Sequence, residues 1–253
     1  MGGWCAGQMK RTEQRQKAGK RIGTYAAVIA SAGLWLTGCG AAGGENYTAL
    51  GMTAVENLEY EDALSQFSLA EEKGEDPRLL YRGMGIAYLG MTDYENAVLY
   101  LEAALQSSDG VVEDMDFDIN YYLATAYFKN GQAEEAIRAY DAILALRPEE
   151  KDAWYLRGTV KLSTGDYEAA QTDFDRAVAL SPQDYDQLIR IFTVLDSYGY
   201  QEIGKEYLQT AVSANEKSIS DYDAGRICYY LEDYENARNH LTNLNTETDY
   251  GAA

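Results

Sequence analysis

The residue types that most often do chemistry are scarce in this chain. One histidine, His240, and three cysteines, Cys5, Cys39 and Cys228, stand among 41 carboxylates. A nucleophile needs a base within hydrogen-bond reach, and that base is most often histidine. Without a second His or a paired Cys, the chain offers neither a nucleophile–base set nor a tetrahedral zinc site. It has no glycine-rich phosphate loop and no strand–turn–helix serine motif. The acidic run at 108–116 (Ser-Asp-Gly-Val-Val-Glu-Asp-Met-Asp) lacks the ligand spacing of a calcium loop and reads as a solvated loop. The expectation is a protein without catalytic residues, metal or cofactor. Three cysteines exclude a disulfide framework, and Cys228 reads as a small buried hydrophobe on a helix.

Charge narrows the partners. The formal net charge is -20, and the first 38 residues hold six basic residues (Lys10, Arg11, Arg15, Lys17, Lys20, Arg21) and one acid, Glu13. Removing their +5 leaves -25 for the remainder. Such a surface repels phosphate backbones, so nucleic acid is not an expected partner. Tyrosine is over-used, 22 copies against 5 Phe and 3 Trp, which supplies rings that can be half-buried and still hydrogen-bond.

The N-terminus reads as an address. A basic segment over 1–21 precedes an apolar segment over 22–36, too short to span a bilayer comfortably. Leu36-Thr37-Gly38-Cys39 follows and resembles the bacterial lipobox. The resemblance implies cleavage before Cys39 and lipidation of that cysteine. The chain is then a signal peptide (1–38), a lipidated Cys39 with a flexible tether (39–46), and a folded part over 47–251 held on the extracytoplasmic side of the cell membrane. Two or more acyl chains give stable anchoring, and the tether keeps the domain within roughly 25 Å of the bilayer at ~3.5 Å per residue.

The remainder is self-similar. Small residues recur at Ala63, Ala97, Ala136, Ala170, Gly204 and Ala237. A second series, Gly51, Gly85, Ala124, Gly158, Phe192 and Gly225, lies twelve residues earlier. A third, Phe67, Leu101, Tyr140, Phe174, Leu208 and Leu241, lies four residues later. Each period holds two amphipathic segments at helical spacing. Small residues let the two helices cross closely, and the large residue fills the next turn. Phe192 with Gly204, in place of the usual small residue and alanine, reads as volume compensation. Pro77, Pro148 and Pro182 fall between periods, while Gly131, Gly165 and Gly199 fall at the turn within one. The last helix is polar (Asn236, Arg238, Asn239, His240, Asn243, Asn245) and reads as its own cap.

These residues resemble the tetratricopeptide-repeat family. Residues 151–184 carry its pattern most fully, with Trp154, Gly158, Gly165, Tyr167, Ala170, Phe174, Ala177 and Pro182 in family positions. The resemblance implies an all-α fold, a right-handed α-solenoid of six helix–turn–helix repeats near 44–77, 78–116, 117–150, 151–184, 185–217 and 218–251. It also implies a concave groove lined by the first helix of each repeat, with Arg82, Tyr121, Phe128, Lys129, Tyr155, Tyr222, Arg226, Tyr229 and Tyr230 facing a partner. Ile86, Leu89, Thr125, Thr159, Leu162, Ile189 and Thr193 lie beside them, and Asp118, Asp152 and Asp186 rim one edge. Tyr and Arg carry interface energy, so basic spots in an acidic body favour an extended or helical peptide with apolar anchors. The family's carboxylate clamp needs basic and Asn residues where Thr48 and Met52 stand, so chaperone C-termini are not the expected ligand. The expected function is a membrane-anchored, protein- or peptide-binding scaffold or adaptor of the bacterial cell envelope. The alternative is a binder of cell-wall glycan or muropeptide through tyrosine stacking.

Overall fold

A computed structural model describes residues 46–215 and 218–242; Cys5, the lipobox with Cys39, most of the tether, and Asn243 and Asn245 lie outside them. The described residues contain twelve helices and no strand. They pair as α1 (Tyr47–Glu56) with α2 (Tyr60–Lys73), α3 (Pro77–Gly90) with α4 (Tyr94–Gln106), and α5 (Asp114–Lys129) with α6 (Ala133–Leu146). The series continues as α7 (Lys151–Ser163) with α8 (Tyr167–Leu180), α9 (Tyr185–Ser197) with α10 (Gln201–Asn215), and α11 (Asp221–Tyr230) with α12 (Tyr234–Thr242).

Side chains mark where helices start. Asn46, Asp76, Asp93, Asp166, Asp184 and Ser220 each accept a hydrogen bond from an amide in the following first turn. Glu75, from the α2–α3 turn, accepts from the Tyr47 and Thr48 amides and the Thr48 hydroxyl. That hydroxyl bond, with the amide bonds, holds the Glu75 carboxyl below its ordinary range. Pro77 opens α3, where its missing N–H costs nothing.

The turn inside every pair uses one left-handed residue. Gly131, Gly165 and Gly199 take it at φ 76°, 85° and 84°. In the other pairs Leu58, Thr92 and Glu232 take it at φ 63°, 60° and 64°, at a steric cost glycine avoids.

Close crossing within pairs is visible in what an added carbon would meet. A Cβ on Gly158 would lie 2.8 Å from Phe174 Cε1, one on Gly51 2.6 Å from Phe67, and one on Gly85 2.5 Å from Leu101. In the fifth pair the contact runs the other way: a Cβ on Gly204 would lie 2.9 Å from Phe192 Cδ2. The smaller residue on α10 accommodates the ring on α9. The core is a strip of apolar clusters shared by consecutive pairs, as a one-dimensional array requires.

Three local expectations change. The run at 108–116 is not all loop: α5 begins at Asp114, and the Glu113 amide donates to Asp116 Oδ2 at 2.8 Å. Its acids are also not merely solvated. The guanidinium of Arg78, almost buried, pairs with Glu113 at 2.8 Å and Asp116 at 2.6 Å, so the segment docks on the second pair. Cys228 is half-buried rather than buried; burial, then Asp233, raises its thiol pKa. On polar α12, Leu241 stays exposed, whereas its counterparts Phe67, Leu101, Tyr140, Phe174 and Leu208 are buried.

Candidate partner-binding wall

First helices of neighbouring pairs touch: α1 with α3, α3 with α5, α7 with α9 and α9 with α11. The second helices do not meet to the same extent, so the array curls with its first helices on the inner side. Successive turns of those helices present the candidate residues.

Three arginines on this wall share one arrangement. Each is held by an aspartate of a neighbouring first helix and lies over a tyrosine ring. Arg82 on α3 donates to Asp118 of α5 at 2.5 Å and sits 5.7 Å from the ring centre of Tyr122. Arg190 on α9 donates to Asp152 of α7 at 3.1 Å and lies 4.3 Å from the ring of Tyr155. Arg226 on α11 donates to Asp186 of α9 at 2.6 Å and lies 5.0 Å from the ring of Tyr222. Guanidinium on an aromatic face with a carboxylate at its edge is a preorganised unit. Two of the basic spots expected from sequence, Arg82 and Arg226, are therefore already neutralised. Asp118, Asp152 and Asp186 are not a separate rim; they are the counter-ions.

The remaining candidates divide by burial. Tyr121 and Phe128 pack against the cluster built by α5, α6 and α7. Tyr121 lies edge-on to Tyr140 and donates weakly to Glu150 at 3.4 Å. Burial, followed by the charge of Glu150, raises its hydroxyl pKa. Tyr230 packs on Phe192 with ring centres 5.4 Å apart. Leu162 and Ile189 are buried core residues, not wall. Thr125, Thr159 and Thr193 each donate to the carbonyl four residues back, at 3.0, 2.9 and 2.8 Å. Tyr229, 59% exposed, and Lys129, exposed in the last turn of α5, face solvent. Tyr229 stands edge-on to Tyr230 and Tyr234, at 5.7 and 5.9 Å.

Sequence reasoning missed Arg190, because it stands one position beyond Ile189, outside the groove positions that the family resemblance implies. It also missed a network inside the array, where buried Asp173 accepts two bonds from Arg157 at 2.8 and 2.7 Å and pairs with Lys161 at 2.8 Å. No local pattern marks partners on different helices.

The two best-formed cavities among the described residues lie off the wall: an open notch of about 370 Å³ at Leu58–Asp62 and Met91, and one of about 110 Å³ between Val112, Phe117 and Leu146. Among the described residues no group of three or more His, Cys, Asp or Glu could hold a metal. His240 Nδ1 lies 2.7 Å from Asp221, tying α12 to α11. No described helix is long and apolar enough to cross a membrane.

The fold and wall define an all-α solenoid of tetratricopeptide repeats. Residues 82–137 and 121–185 match the family model described as Tetratricopeptide repeat. Solved structures agree on the fold. YrrB, described as a TPR protein with an unusual peptide-binding site, is similar at 19% identity and TM-score 0.52, covering 74% of this chain and 90% of its own. MamA from Desulfovibrio magneticus RS-1 is similar at 21% identity and TM-score 0.55, over 69% of this chain and 96% of its own. A tetratricopeptide-repeat protein from Parabacteroides merdae is similar at 15% identity and TM-score 0.54, over 80% and 78%. Comparison with curated proteins returned no match.

Proposed function

We propose that the chain is a lipid-anchored scaffold or adaptor on the extracytoplasmic side of a bacterial cell membrane, holding an extended segment of another protein along its inner wall without catalysing a reaction. The observation that carries this reading is the wall itself: arginine, aspartate and tyrosine link α3 with α5, and α7 with α9 and α11, into an open surface away from the two best-formed cavities. Such a surface suits a chain laid across it better than a compact ligand, which needs a concave, enclosing site. The similarity to YrrB, whose description names a peptide-binding site, adds support. A glycan needs bare ring faces in series. The rings of Tyr122, Tyr155 and Tyr222 each lie under a guanidinium, so peptide is favoured over glycan.

The scaffold half is tested by affinity capture from detergent-solubilised membranes. Tyr229→Ala/Lys129→Ala alters two exposed wall residues without touching the core. Loss of a captured protein relative to wild type is expected; identical capture removes the wall assignment. The anchoring half is tested by metabolic labelling with a palmitate analogue. Label is expected in wild type and absent from Cys39→Ala, and an unlabelled wild type overturns it.

A further inference from the structure

We infer that the partner segment is cationic, carrying Lys or Arg at regular intervals and aromatic or apolar residues between them; this rests on the wall being the binding surface. The chain has a large excess of acid, yet its cations are mostly spoken for. Arg78, Arg82, Arg147, Arg190 and Arg226 all bind carboxylates on other helices or their caps. An acidic ligand would have to pull a wall arginine from its aspartate and leave that aspartate unpaired in a strongly negative body.

Exposure fixes the sign further. Side-chain exposure is 20% for Arg82 against 41% for Asp118, and 26% for Arg226 against 74% for Asp186; Arg190 and Asp152 are equal at 47%. At Arg82 and Arg226 the guanidinium is held inward on its tyrosine and the carboxylate is the more exposed partner. At those two sites the wall shows a ligand more carboxylate than arginine, and at Arg190 it shows both equally. Among the described residues Lys129 is the wall cation with no carboxylate within 4.0 Å, and it sits at the C-terminus of α5, where the helix dipole uses its charge. A concave, low-dielectric surface concentrates the field of the surrounding acids and draws in cations.

Spacing sets the ligand's pattern. Asp118, Asp152 and Asp186 recur every 34 residues, one per first helix. Helices α7 and α9 touch, and axes of touching helices lie roughly 8–10 Å apart. An extended chain covers that in about three residues at ~3.3 Å each, so basic residues three positions apart meet Asp152 and Asp186.

The test uses the full chain in detergent micelles and three dye-labelled twelve-residue probes. The probes share tyrosine and leucine positions and carry Lys, Gln or Glu at every third position. Fluorescence anisotropy is expected to show the Lys probe binding about tenfold tighter than the Gln probe, the Glu probe weakest, with the preference shrinking between about 50 and 300 mM salt. Asp118→Asn/Asp152→Asn/Asp186→Asn is expected to lose that preference and gain affinity for the Glu probe, because its arginines are released. Glu95→Gln/Glu168→Gln/Glu235→Gln, an equal charge change on exposed positions of the second helices, is expected to leave it unchanged. A Gln or Glu probe that binds as well as Lys overturns the charge assignment and leaves the wall standing. An equal loss in both triple variants overturns its placement on the wall. Binding of none of the probes overturns the wall reading and this inference together.

Discussion

Replacing Gly204 by alanine adds one methyl to α10, and its effect is set by a single neighbour. The new carbon would stand 2.9 Å from Phe192 Cδ2, 3.2 Å from Phe192 Cα and 3.3 Å from its carbonyl oxygen, whereas carbon pairs rest at about 3.5–4.0 Å. The ring can swing only into a buried cluster it shares with Leu188, Leu208 and Ile227, and the backbone atoms yield only if α9 and α10 separate. Overpacking of this kind costs about 1–3 kcal/mol. Alanine returns about 1 kcal/mol through helix propensity, leaving a loss of roughly 0–2 kcal/mol. Phe192→Ala alone costs about 3–5 kcal/mol by emptying the site. In that background the methyl has room, so Gly204→Ala should turn neutral or stabilising, giving a coupling of about 1–2 kcal/mol between positions in contact. The assay is a double-mutant cycle from urea unfolding followed by circular dichroism. Additive effects, within about 0.3–0.5 kcal/mol, would refute the claim that Gly204 is small because Phe192 is large.

Other outcomes follow from the same geometry. Thr92→Gly relieves a left-handed residue and should stabilise by about 0.5–1 kcal/mol, while Gly165→Ala should destabilise by more than about 1 kcal/mol; equal Tm shifts from both would contradict the shared turn. Gln187 is buried with its Nε2 unpartnered, where the equivalent positions hold Leu80, Ile119 and Ala153. Gln187→Leu should therefore raise stability by about 1–2 kcal/mol, and a lower urea midpoint would argue for an unseen partner. Burial pushes the Tyr140 hydroxyl up to about 12. Burial also raises Tyr127 and Tyr207, with their hydrogen bonds to Glu102 and Asp175 acting in the same direction. Unfolded tyrosine ionises near 10, so the stability from these protonated hydroxyls is complete below about pH 10 and lost as pH rises from there to about 12. Tm should be level from pH 7 to 9 and fall by pH 11, with late tyrosinate absorbance appearing only on unfolding; a level Tm at pH 11 would exclude the effect.

The fold was legible in the sequence because close helix crossing leaves a mark that periodicity preserves. The series through Gly51, Gly85 and Gly158 and that through Phe67, Leu101 and Phe174 are the two sides of one contact. The turns were half legible. Glycine at 131, 165 and 199 announces a positive φ, but Leu58, Thr92 and Glu232 adopt the same conformation with nothing in their type to show it. The wall was least legible. Arg82 and Asp118 lie 36 residues apart, Asp186 and Arg226 40 apart, and Asp152 and Arg190 38 apart, so neutralisation depends on the stagger between repeats. Leu162 and Ile189 looked like groove residues because family position alone does not tell how far a first helix is rotated into the core.

Photo-crosslinking in living cells tests the account most directly. A benzophenone amino acid placed at Tyr229 reports on the inner wall, and one at Leu99, exposed on α4, reports on the outer helices. The account predicts a discrete adduct with another protein from position 229 and none from 99. The same adduct from both positions, or one from 99 alone, would contradict it.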